Sequence, residues 1–143
     1  MSKITKVVAR QVFDSRGNPT IEAEVFSKSL RASSICPSGA STGTYEAYEK
    51  RDKSNKKYLG KSVLKAVSYV NKVISKKLRN QNIHNQERID HILIKLDGTN
   101  NKSKIGANAI LAISMAVKKL SAKIRKIPLY KNFIVKKNFK LPY

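Results

Sequence analysis

The residues best equipped for chemistry sit together in Pro37-Ser38-Gly39-Ala40-Ser41-Thr42-Gly43. Ser38, Ser41 and Thr42 carry hydroxyl oxygens, hard donors that suit a hard cation. Gly39 and Gly43 reach backbone angles closed to other residues. Consecutive amides in such a loop can also cradle an anion. The same residue types build ordinary solvated turns, so the segment alone reads either as a ligand loop or as a plain connection.

Other reactive groups are sparse. Gly39-Ala40-Ser41-Thr42-Gly43 fits the G-x-S-x-G pattern of a nucleophile elbow, and His84 and His91 follow it. That motif needs a parallel sheet built from alternating strands and helices, which this sequence does not provide. Neither histidine has a second histidine or a cysteine at metal-ligand spacing. His84 falls in a polar link and His91 beside Asp90 on a helix, positions that exposure explains. Glu46, Glu49 and Asp52 have spacings that can share a helix face, where pairing with Lys50, Arg51 and Lys53 accounts for them. Glu22 and Glu24 line one strand face, and no phosphate-cradling G-x-x-x-x-G-K run is present.

The elements that must position the loop follow from periodicity. Residues 4–13 are rich in β-branched side chains, and Asp14-Ser15-Arg16-Gly17-Asn18-Pro19 is a turn. Between Thr20 and Ser27, Ile21, Ala23 and Val25 alternate with Glu22, Glu24 and Phe26, a half-buried strand. Leu30 to Cys36 is a third strand, and short links make the three an antiparallel meander. Beyond the loop, Thr44 to Arg51 reads as one or two helical turns. Val63, Leu64, Ala66, Val67, Val70, Val73, Ile74 and Leu78 recur at helical spacing, with Lys65, Lys72, Lys76 and Arg79 on the solvated side. Asn85 caps a helix carrying Ile89, Ile92, Leu93 and Leu96, which ends at Gly98. Gly106 opens another, whose small residues Ala109, Ala112 and Ala116 permit close packing. Pro128 starts a short helix from Leu129 to Val135. Strands first and helices after give an α+β fold, a three-stranded antiparallel meander followed by a helical layer.

The 143 residues suffice for one buried core. A single cysteine, Cys36, excludes an internal disulfide and suits a reducing compartment. No apolar run has the length of a signal peptide or a membrane span, so a cytoplasmic location is expected. Thirty Lys and Arg against nine Asp and Glu give a net charge of +21. That charge admits weak non-specific binding to nucleic acid or other polyanions, and a stand-alone basic domain of that kind is the alternative reading. The positive residues are 23 lysines and only seven arginines, spread along the chain. Arginine is the preferred bidentate phosphate reader, so the pattern fits a solvated surface better.

Three ordered segments resemble one family: Asp14 to Thr20, Pro37 to Gly43, and Leu96-Asp97-Gly98-Thr99 with Asn101-Lys102-Ser103-Lys104 and Gly106 to Leu111. The shorter matches Leu59-Gly60-Lys61 and Pro128-Leu129-Tyr130 fall in order. Together they resemble the N-terminal domain of enolase, the phosphopyruvate hydratase of glycolysis, over essentially the whole chain. The resemblance implies dehydration of 2-phospho-D-glycerate to phosphoenolpyruvate, with Mg2+ as cofactor. It implies that Ser38, Gly39, Ala40, Ser41, Thr42 and Gly43 form a substrate-closing loop and that Ser41 is a ligand of the second Mg2+. It places Arg10 and Glu22 at the subunit interface of a homodimer. The family's lysine base, its acid/base glutamates and the carboxylates of the first Mg2+ belong to a C-terminal barrel, and none is in this sequence. Residues 1–135 are therefore expected to form the N-terminal domain and 136–143 to begin a linker to a missing or separately encoded barrel. The chain alone is expected to be inactive.

Overall fold

Alternating side chains build the sheet. In a computed structural model, which describes residues 2–39, 43–53 and 57–133, β1 (Lys6–Phe13), β2 (Pro19–Ser27) and β3 (Leu30–Cys36) pair antiparallel in the order β1-β2-β3. The register sets Ala9 opposite Ala23 and Ala23 opposite Ser34. Ile21, Ala23 and Val25 are fully buried on one face, and Glu22 and Glu24 lie on the other, as period two requires. β1 starts later than its sequence suggests. Ile4 bonds instead to the backbone of Asn80 and Gln81, so the first residues tie down a distant link.

The helices cover the apolar face. α1 (Leu64–Tyr69), a π-helical turn (Val70–Ile74) and α2 (Ser75–Leu78) form one run that buries Ala66, Val70, Ile74 and Leu78. Leu64, expected in that stripe, is exposed, while the expected solvated face of Lys65, Lys72, Lys76 and Arg79 is exposed. In the π-helical turn Asn71 accepts the Ala9 N–H at 2.8 Å and donates to the Ala9 carbonyl at 3.0 Å. The outer edge of β1 is paired there by a side chain.

α3 (Gln86–Asp97) begins at Asn85, whose side chain accepts the Arg88 N–H, and stops at Gly98 with φ of 69°. Both ends follow the sequence reading. α4 (Ala107–Arg125) lies across β2 and β3. Its Ala109, Ala112 and Ala116 are fully buried, as are Ile113, Val117 and Leu120; the small residues bring the helix backbone close to the sheet. A 3-10 turn (Leu129–Phe133) ends the described chain.

Residues 43–53 form no helix. Their backbone is committed elsewhere. The Tyr48 N–H donates to Asn101 O and its carbonyl accepts the Ala107 N–H. Asn108, at the start of α4, accepts the Lys50 N–H and donates to the Lys50 carbonyl, each at 3.2 Å. Pairing with the α4 N-terminus overrides whatever local helical preference the segment has. The Ala107 N–H is one of the first-turn amides a helix leaves unpaired.

Candidate functional site: the polar cluster beneath the loop

The loop leaves β3 after Cys36. Thr20 Oγ1 donates to the Cys36 carbonyl at 2.5 Å and fastens that strand end to β2. Ser38 is then held from two sides. Arg16 Nη2 donates to its carbonyl at 2.7 Å. Its hydroxyl donates to Glu49 Oε1 at 2.7 Å and accepts from Arg51 Nη2. Arg51 also binds Glu49 at 2.7 Å, the Pro19 carbonyl at 2.9 Å and the Lys61 carbonyl. One planar guanidinium thus joins the start of β2, the loop entrance, Glu49 and Lys61, using the fork geometry that lysine lacks. Lys61 Nζ donates to Asn18 Oδ1 at 3.0 Å. Arg16, Asn18, Ser38, Gly39, Glu49, Arg51 and Lys61 line an open cavity of about 300 Å3.

Asp14 organises the turn below. Its Oδ1 accepts the Arg16 and Asn18 amides at 2.9 and 2.8 Å. The Asn18 amide above all holds this carboxyl below its usual range. Burial opposes that, and the Arg16 amide and charge add to it.

Of the predicted loop residues, Ser38 and Gly39 border the cavity, and the Gly43 amide donates to Glu46 Oε1 at 2.9 Å. Ala40, Ser41 and Thr42 lie outside the described residues, so the Mg2+ ligand expected at Ser41 does too. Among the described residues no three His, Cys, Asp or Glu side chains lie close enough to hold a metal ion.

The three carboxylates expected to share a helix face do not, because no helix forms. Glu46 binds the Gly43 amide and Glu49 binds Ser38 and Arg51. Asp52 accepts the Leu64 and Lys65 amides, both at 3.0 Å, at the first turn of α1, a favourable place for negative charge. Of the expected lysine and arginine pairings only Glu49 with Arg51 forms among the described residues. His84 is not simply exposed. Its Nδ1 sits 2.9 Å from the buried Ser121 Oγ and 3.3 Å from Arg125 Nε. Burial first, then the Arg125 charge, lower its pKa. His91 is exposed on α3.

Arg10 and Glu22 do meet, on the open sheet face. Arg10 contacts Glu22 at 2.5 Å and Glu24 at 3.0 Å, while Arg31 reaches Glu24 at 3.3 Å. Burial pushes the Glu22 carboxyl up, but hydrogen bonds from Arg10 and Ser33 and the Arg10 charge outweigh it and leave the pKa lowered. The roles of Arg16, Arg51 and Asp14 were missed in sequence. The dense turn Asp14–Pro19 was the available signal, since an aspartate at a turn start bonds the amides that follow.

Residues 4–133 match the family model described as enolase, N-terminal domain. The chain belongs to this family. It is 74% identical over all 143 residues to the enolase of Pelagibacter ubique (strain HTCC1062). It spans only 34% of that enolase's length. The meander followed by helices is consistent with the family's fold. Among the described residues no helix is long and apolar enough to cross a membrane.

Proposed function

We propose that this chain supplies the loop side of an enolase active site, completed by a C-terminal barrel that the sequence does not contain. The reaction is the dehydration of 2-phospho-D-glycerate to phosphoenolpyruvate in the cytoplasm. The observation that carries this reading is 74% identity across the whole chain to an enolase. The cavity beneath Ser38 and Gly39, with Arg16, Arg51 and Lys61 around it, supports it.

In this reading residues 38–43 close over the substrate and exclude water. Ser41 would offer oxygen to a second Mg2+, an ion that takes few protein ligands beside water and substrate. When bound, that ion would supply positive charge at the substrate carboxylate. Arg10 and Glu22 face a partner subunit in a homodimer. The base belongs to the barrel, so the 143-residue chain alone is inactive. The test is phosphoenolpyruvate formation by the pure chain and by the same chain joined to an enolase barrel, with and without Mg2+. Turnover only in the joined, Mg2+-supplied protein is expected. Turnover by the chain alone, or an inactive joined protein that is folded, overturns the proposal.

A further inference from the structure

Arg16 stands between two acceptors. Its Nη2 bonds the Ser38 carbonyl at 2.7 Å and reaches the Gly39 carbonyl at 3.5 Å. The same nitrogen lies 3.7 Å from Asp14 Oδ2, just beyond hydrogen-bond length. The Asp14 side chain is only 4% exposed, and its Oδ2 is buried without a hydrogen-bond partner among the described residues. An unpaired buried carboxylate oxygen is costly, so a second seat for the guanidinium is ready about 1 Å away. Arg16 itself is 47% exposed and packs in no core. The Ser38 hydroxyl is held independently by Glu49 and Arg51. Moving Arg16 therefore releases the Ser38–Gly39 peptide while its side-chain pivot stays fixed.

We infer that Arg16 is a positioning residue that shuttles between the Ser38–Gly39 carbonyls and Asp14 Oδ2, and so sets how the backbone leaves β3 towards the loop. The inference rests on the loop reading above only for its effect on activity. Arg16→Gln removes the charge from both seats. Asp14→Asn keeps the Oδ1 acceptor for the Arg16 and Asn18 amides and removes only the second seat. The two variants must act in opposite directions, which a merely structural role does not produce.

The test is backbone NMR relaxation of Ser38 and Gly39 in the 143-residue chain, with α4 amides as the internal reference. Arg16→Gln should raise the released population about tenfold, the scale of one charge-assisted hydrogen bond. Arg16→Lys should recover part of this, and Asp14→Asn should lower the population. In the chain joined to a barrel, Arg16→Gln should raise the Mg2+ concentration for half-activation several-fold, and Asp14→Asn should not. Equal changes in α4 and Gly39, same-direction effects of the two variants, or no effect overturn the inference. An inactive wild-type joined protein overturns the functional reading instead and leaves the relaxation result to decide this one.

Discussion

Gly106 lies where the segment 43–53 packs against the start of α4. It has φ of 103° and ψ of 133°, a backbone region that side chains rarely enter. A Cβ added there would lie 2.4 Å from Lys50 Cβ, 2.4 Å from Asn108 Oδ1 and 3.0 Å from Lys50 N. Gly106→Ala therefore strains the backbone by about 1–3 kcal/mol. It also forces apart the two Lys50–Asn108 hydrogen bonds, each worth about 1 kcal/mol. The expected loss is about 3–5 kcal/mol, a large part of the ~5–15 kcal/mol that keeps a domain folded. At roughly 2–4 °C per kcal/mol, Tm should fall by about 6–20 °C. Urea unfolding of the 143-residue chain followed by circular dichroism measures it. Asn108→Ala alone should cost about 2 kcal/mol. The double variant should lose less than the sum, because both changes break the same contact. A loss below about 1 kcal/mol for Gly106→Ala, or strict additivity, would refute this account of the junction.

Asp97 is buried and accepts the Ile105 N–H at 2.7 Å and both the amide and hydroxyl of Thr99. Burial raises its pKa, but these hydrogen bonds and the Lys102 charge leave it lowered. Its stabilisation is therefore complete above the unfolded carboxyl pKa of about 4 and lost as pH falls through the lower folded value. Asp97→Asn should destabilise by about 2–4 kcal/mol at neutral pH and flatten the acid limb in a pH series of urea melts. For His84 the folded pKa is also depressed, so its contribution is present above about pH 6.5 and lost as pH falls below that. His84→Gln should remove that decline, as read from Tm between pH 7.5 and 5 (roughly one unit or more either side of the imidazole pKa).

The fold was legible where local chemistry and tertiary structure agree. Asn85 and Gly98 bound α3 as their side-chain and backbone chemistry dictates, and the alternation Ile21, Ala23, Val25 places β2 correctly. Residues 44–51 were misread because their partner, the start of α4, lies more than fifty positions away. Periodicity does not encode such a pairing. The π-helical turn around Asn71 left no mark in the apolar pattern, and the bonds that the Asn71 side chain makes there reach across to Ala9. The site was half legible. The loop's small polar composition showed, but the clamp on Ser38 is drawn from Arg16, Glu49 and Arg51, residues of ordinary surface type brought together only by the turn and the extended segment.

A three-stranded sheet has two open flanks, and each is an invitation to pair with a strand of another molecule. Here Asn71 occupies the β1 flank at Ala9. On the opposite flank Lys119 reaches the Ser33 carbonyl and Lys123 the Arg31 carbonyl. Part of the lysine excess is thus a guard on β3, not idle surface charge. The domain keeps its sheet from templating growth by neighbouring chains, with like-charge repulsion at a distance and occupied carbonyls at contact.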